Sequence, residues 1–590
     1  MKRKIFGLLL LAMSLGSCED YLTRMPMDTV TDSPAFWNNE NNLRTVSFGL
    51  YDEYFEGYRT GWSRADWFAE TNVADWVDDN AQRAATYFTK VAPTSGGGWS
   101  FSLLRRINIM IARIPETTLP DEAKNHWLGV ARFFRAMEYS KLVSKFGDVP
   151  YFDKEINNTD YETLYAPRQN RADVMDKVKE DFQYACENIR EKDGAEGQSV
   201  TKAVAYAYMS RIMLFEGTWQ KYHSNNTAKA AEFLQAAKDA AKAIIDGGKY
   251  SIHPSYKELT TSLDLKGNTE MIIYRSYVES VLTHSLMSFQ NTESEGSSPS
   301  RSLIESYLSS NGLPIFQAEN DMYDQEECKW FEKELENRDP RLSDIIYTND
   351  LYLEGVVSPY AASGYFANRF VNESIKDQSI GVSSTNVTDA PVMKLNEVMM
   401  NYIEAAAELA QLGKYTLTQN DFDITINAIR DRESTHMPHV TLAGNNLSVN
   451  GIIINDPVRD ADVPSIIWEV RRERRTELVY EGIRFHDLRR WKKLNYADMK
   501  LNKKLNLGAW LDKDAYVAWY NESHKDAPIT VESLKDIKLD RDGNAGYIMP
   551  IKEEAKMRTY AEKDYLYPLP EDQITLYESN GKKLEQNPGW

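Results

Sequence analysis

The sequence predicts a mainly α-helical protein built from tetratricopeptide-like helix pairs with long loop insertions. Three observations carry that expectation. Apolar residues recur at +3 and +4 spacing in several separate stretches, which places each set on one helix face. Small residues such as Ala203, Ala205 and Ala207 fall within one stretch, where paired helices must approach closely. Glycines stand just past the apolar runs, where a left-handed residue ends a helix. No strict repeat length can be read along the chain.

Taken in order, the chain begins with Lys2, Arg3 and Lys4 ahead of an apolar run over 5–15, the n-region and h-region of a secretion signal. The run is too short to span a bilayer. Leu15, Gly16, Ser17 and Cys18 resemble the lipobox of bacterial lipoproteins, so 1–17 is expected to be removed and Cys18 to carry the lipid anchor. Several acyl chains, each methylene contributing about 0.8 kcal/mol, make such an attachment durable. Glu19 and Asp20 resemble a signal for display on the outer face of the outer membrane.

The first helical pattern is Trp127, Val130, Phe134 and Met137, expected to run toward Gly147. Val204, Tyr208, Ile212 and Phe215 follow, with Gly217 read as the stop, and then Phe233, Ala236, Ala240 and Ile244, closed by Gly247 and Gly248. Leu395, Val398, Tyr402, Ala405 and Leu409 make the clearest stripe, ending near Gly413. Between them, stretches near 57–100, 277–300, 345–390, 436–462 and 515–560 are long and polar with interspersed aromatics, and are expected to be functional loops.

Composition narrows the function. Hydrophobic residues are 42% and charged residues 27% of 590, values of a folded chain with a large core. A net charge of -19 argues against nucleic acid as a partner. Cys186 and Cys328 make no disulfide framework. With 34 Tyr and 13 Trp, the chain is well supplied with flat rings, although most aromatics in a large helical protein serve packing.

The segment 468–491, WEVRRERRTELVYEGIRFHDLRRW, closely resembles the ERR-x-EL-x-x-EG-x-R-x-x-DL-x-RW signature of the SusD/RagB family. The stretches 132–150 (RFFRAMEYSKLVSKFGDVP), 391–409 (PVMKLNEVMMNYIEAAAEL) and 337–341 (NRDPR) resemble further family segments, as do 565–570 (YLYPLP) and 586–590 (QNPGW). The resemblance implies one SusD/RagB-like domain over 18–590, with an N-terminal part 18–320 and a C-terminal part 321–590. It also implies a surface lipoprotein that binds glycans and acts as a lid over a SusC-like TonB-dependent β-barrel transporter. Peptide cargo, or a gating role with no ligand site, remains open at this point.

Enzyme chemistry finds no motif. Gly96, Gly97 and Gly98 lack the Lys-Ser/Thr of a phosphate-binding loop. No Gly-x-Ser-x-Gly turn occurs, and no carboxylate pair of a glycoside hydrolase stands out among 88 acids. His436 and His439 flank a proline and are read as a turn rather than a metal site. No cofactor is expected; the acidic stretch 75–80 could hold calcium but lacks the ordered spacing of an EF-hand loop, so calcium stays open at this point. In 471–477, Arg and Glu alternate at helical spacing, which predicts ion pairing along one helix.

A sugar offers an apolar C–H face and a rim of hydroxyls, so its site needs aromatic platforms beside polar side chains. The segment 62–83 interleaves Trp62, Trp67 and Trp76 with Asp78, Asn80 and Arg83. A second candidate, 277–300, contains Tyr277, His284, Phe289, Gln290 and Asn291; a third gathers Trp330, Tyr360 and Tyr365. Trp99 is assigned to packing.

Overall fold

The computed structural model describes residues 33–63, 77–81, 91–156, 159–293, 298–320 and 329–590. Cys18, Trp67, Trp76, Arg83 and Cys328 lie outside the described residues.

Helices form where the apolar spacing demands them. α1 (Ser102–Arg113) buries Leu104, Ile107 and Met110 on one face, and Trp99, just before it, packs edge-on against Phe101 and Phe146. α2 (Asp121–Phe146) opens with Asp121 and Glu122 at its positive end and stops at Gly147, whose φ of 77° only glycine adopts freely. α3 (Arg171–Asn188) is capped by Asn170, which accepts from the Ala172 N–H. α4 (Lys202–Tyr222) and α5 (Thr227–Gly247) form an antiparallel hairpin, capped by Asn226 at the start of α5 and by left-handed Gly248 at its end.

Gly217 does not end α4, contrary to the expectation from its position. It lies within the helix, and a Cβ there would meet the Leu234 backbone nitrogen of α5 at 2.9 Å. The glycine sets the close approach of α4 to α5.

α6 (Leu395–Gln411) packs against both α4 and α5 and, on another side, against α7 (Ser465–Glu477). A short α8 (Arg484–Arg490) follows after the chain turns at Tyr480 (φ 64°) and Gly482 (φ 71°), so the family-like segment is two helices and a reversal. One apolar core gathers residues from Trp37 to Leu584, centred on α2, α4, α5 and α6.

Strands are few. β1 (Met271–Arg275) pairs antiparallel with β2 (Ala390–Lys394), joining segments far apart in sequence. β3 (Thr441–Ala443), β4 (Asn446–Val449) and β5 (Ile452–Ile453) make a small meander inside what the sequence presented as a loop over 436–462. β6 (Trp510–Asp512) pairs with β7 (Ala545–Tyr547).

The expected ion pairing along α7 is also corrected. Its charged side chains reach outward to other elements: Glu473 to Arg430 and Arg341, Glu477 to Arg341 and Arg432, Arg474 to Asp487, Arg471 to Glu408 and Arg475 to Asp79. Arg472 keeps one pair within the helix, to Glu469 at 3.2 Å. The reason is burial. α7 is covered on nearly every side, so no solvated face is left on which neighbours in sequence could pair. Buried charges must each find a partner, and the partners come from whatever element is packed opposite.

Candidate ligand-binding face

The two richest candidate loops meet in space. Tyr58 and Tyr277 anchor them: the Tyr58 N–H donates to the Tyr277 hydroxyl at 2.8 Å, and that hydroxyl donates to the Arg59 carbonyl at 2.7 Å. His284 packs against both rings, at 4.9 and 4.7 Å between centroids, with Nε2 3.0 Å from the Thr388 carbonyl. Burial drives the His284 pKa down to about 3, so this imidazole is neutral and structural. The Gly61 N–H donates to the Thr283 carbonyl at 3.0 Å and carries the chain outward to Trp62.

Trp62 is 51% exposed and stands edge-on to Phe289, with centroids 5.7 Å apart at 75°. Phe289 is only 8% exposed and supports the indole from below. Beside them, Gln290 accepts from the Phe370 N–H at 2.8 Å, and Asn291 donates to the Lys376 carbonyl at 2.6 Å. These bonds fix the turn that follows Phe289.

Tyr347 donates to the Gln290 carbonyl at 3.1 Å, and the half-buried Tyr347 and Tyr352 stack on the buried ring of Phe366: Tyr347 to Phe366 at 5.8 Å and 12°, and Tyr352 to Phe366 at 4.9 Å and 24°. The sequence reading did not single out Tyr347 or Tyr352. Their signal was present only as aromatics within the long polar stretch 345–390, and nothing in the spacing shows that both stack on Phe366.

The strand-like segment 78–81 joins 298–300: the Ala81 N–H donates to the Ser298 carbonyl and the Ser300 N–H to the Asp79 carbonyl, both at 2.8 Å. Asp78 is buried and accepts from Arg484 at 2.8 Å through both oxygens, with Arg475 3.3 Å away. Burial alone would raise its pKa, but the two guanidiniums outweigh that and hold the carboxyl well below the usual carboxylate range. Asn80 is buried too, and its Oδ1 has no partner among the described residues.

In the third candidate, Trp330 is half-buried against Phe331 and Trp519, and the Tyr365 hydroxyl is held by Glu334. Tyr360 sits on the rim of a cavity of about 330 Å³ with Glu354, Asp536 and Lys538. The Ala362 N–H donates to Ser298 at 2.8 Å, which ties this segment to the second loop.

The candidates therefore divide by exposure. Trp62, Trp330 and Tyr360 reach solvent, whereas Tyr277, Phe289, Asp78 and Asn80 are buried and hold the loops in place. An exposed indole beside half-exposed tyrosines and amides can stack on an apolar ring face and hydrogen-bond a polar rim. His439 is paired with Asp431 at 2.7 Å, and no group of three His, Cys, Asp or Glu among the described residues is placed to hold a metal ion. No helix among the described residues is long and apolar enough to cross a membrane.

Comparison with known proteins agrees with this architecture. A family described as the SusD family matches residues 274–590, and one described as starch-binding associating with outer membrane matches residues 32–214. A SusD-like protein of Formosa agariphila is 26% identical over 227 residues, 36% of this chain. The match spans 42% of that relative's own length. A SusD-like carbohydrate binding protein of Bacteroides fragilis superposes with a TM-score of 0.63 at 21% identity, covering 92% of this chain and 99% of its own. A second SusD-like protein of that species gives 0.64 at 18% identity, covering 96% and 100%. At these identities the structural likeness establishes the mainly helical fold.

Proposed function

This chain belongs to the SusD family, and from that premise we propose that it is a cell-surface lipoprotein that captures glycans and delivers them to a SusC-like TonB-dependent outer-membrane transporter. The observation that carries the binding role is the convergence of two distant loops to present Trp62, exposed and braced on Phe289, next to the Tyr347–Tyr352 stack. Both a SusD-like relative of known structure, described as carbohydrate binding, and the second family description favour a sugar as the occupant.

The lipid on Cys18 would hold the protein at the outer membrane, facing the exterior, where a neighbouring barrel can take over the ligand. A shallow stacking site gives micromolar to millimolar affinity, roughly 4 to 8 kcal/mol, which suits capture followed by release. Repeated sugar units on one polymer would raise the effective affinity by avidity. The chemistry this face offers is that of binding: rings for stacking and hydrogen-bonding groups beside them.

The test is affinity electrophoresis of the full chain against host and plant polysaccharides, with Trp62→Ala and Tyr347→Ala beside it. Retardation by one glycan, lost in Trp62→Ala while the melting temperature holds, supports capture at this face. Absence of retardation by any glycan, with binding of peptides instead, overturns it in favour of peptide cargo. Recovery of a TonB-dependent barrel with the lipidated protein from outer membranes tests the transporter partnership.

A further inference from the structure

Beside α8 lies a cavity of about 450 Å³, within the range of small-molecule sites, walled by α2, α3, α4 and α8. Its cations are not balanced by its acids. Arg489 of α8 is 2% exposed, and its guanidinium donates only to the Tyr565 carbonyl, at 3.2 and 2.7 Å, and to Ser144, with no carboxylate in reach among the described residues. Lys145 of α2 forms no ion pair among the described residues. Its ammonium lies over the rings of Phe146 at 5.4 Å and Tyr567 at 4.9 Å, and occupies the place a Cβ on Gly98 would need. Arg171, at the start of α3, grips Glu216 through Nε and Nη2 and lies 4.0 Å over Trp219, which leaves Nη1 buried without a hydrogen-bond partner.

The carboxylates on the remaining walls are already matched. Glu216 is held by Arg171 and Gln220, Asp487 by Arg474 and Arg490, Glu481 by Arg369 and Lys394, and Glu56 by Arg59. Glu53 is paired with Lys141, at 3.5 Å. Burial, with Arg171 beside it, pulls the Arg489 guanidinium down to about 10, and burial with Lys141 and Arg489 nearby lowers Lys145 as well. Arg489 and Lys145 are like charges with no counter-ion among the described residues, which is costly away from water, and an anion entering the cavity would relieve them. The same walls offer the rings of Phe215 and Tyr567 and the hydroxyl of Ser140, the mixture that a sugar ring requires.

We propose that this cavity binds an acidic saccharide of the uronic-acid kind, its carboxylate set against Lys145, Arg489 and the unpartnered Nη1 of Arg171. The inference rests on the capture reading above and names the charge class of one ligand. The overall charge of -19 does not oppose it at short range, because fields from distant surface charges are screened over about 8 Å at physiological salt.

The experiment is calorimetric titration of the full chain with trigalacturonate, with the neutral galactotriose and with sodium sulfate, for the wild type, Lys145→Met and Gly247→Ala. Trigalacturonate is expected to bind at least tenfold more tightly than galactotriose, to lose about tenfold in Lys145→Met, and to be unaffected by Gly247→Ala, a helix-end site with nothing within 4 Å of the added carbon. Its affinity should also fall as sodium chloride rises, a readout that needs no variant. Equal affinity for the acidic and neutral sugars overturns the proposal, as does heat from sulfate alone, which would mean an inorganic-anion site. Trp62-dependent retardation by a neutral glycan without any galacturonate binding removes this inference and leaves the capture reading intact.

Discussion

The Trp62 indole meets Phe289 edge-on at 5.7 Å, a contact between the two loops that sequence composition had marked separately. The two rings have different duties, because Trp62 is half in solvent and Phe289 is buried.

Trp62→Ala should weaken glycan binding about tenfold, equivalent to about 1.4 kcal/mol, and leave the thermal midpoint within a degree or two. Comparison of retardation coefficients with melting curves reads both at once. A drop in melting temperature equal to that of a core variant would contradict the assignment of Trp62 to a surface platform.

Phe289→Ala should behave in the opposite way. Removing a buried phenylalanine costs about 3 to 5 kcal/mol through lost burial and the cavity left behind. Urea unfolding should show that loss, and any binding defect in this variant reports collapse of the turn that carries Gln290 and Asn291.

Glu477→Gln should destabilise the fold by about 3 to 5 kcal/mol, since it leaves Arg341 and Arg432 buried without their shared carboxylate. Burial opposes ionisation of Glu477, but Arg432 and Arg341 outweigh it and bring its pKa down to about 2. A depressed folded-state pKa means that the stabilisation is complete above the unfolded value of 4.5 and is lost as pH falls toward 2. Stability measured between pH 6 and pH 3 should therefore fall less steeply in Glu477→Gln than in the wild type.

Gly217→Ala should cost about 1 to 3 kcal/mol, because the new methyl meets the Leu234 side chain at 2.7 Å and its backbone nitrogen at 2.9 Å. Gly247→Ala, where nothing lies within 4 Å of the added carbon, should be neutral or stabilising by about 0.5 to 1 kcal/mol. Equal effects at the two sites would remove the helix-approach explanation for Gly217.

Cys18→Ser should move the protein from the membrane fraction to the soluble one and abolish incorporation of labelled palmitate. Retention at the membrane with no label would point to an anchor other than the lipid.

The sequence by itself determined the helical class, the stripes that became α2, α4, α5 and α6, and the two loops worth examining. Those features are local: a stripe such as Leu395 to Leu409 depends only on the helix period, and a loop rich in Trp and Asp declares itself by composition. The tertiary structure alone decided the rest. Whether Gly217 ends a helix or admits Leu234, whether Glu477 pairs along α7 or with Arg341 and Arg432, and which aromatics face solvent all depend on what packs opposite each residue. Tyr347 and Tyr352 stack on Phe366, and Lys145 and Arg489 share a cavity, through folding of segments that sequence periodicity cannot relate. Contacts between distant segments are set by burial and shape across the core, and no spacing rule within a single helix or loop encodes them.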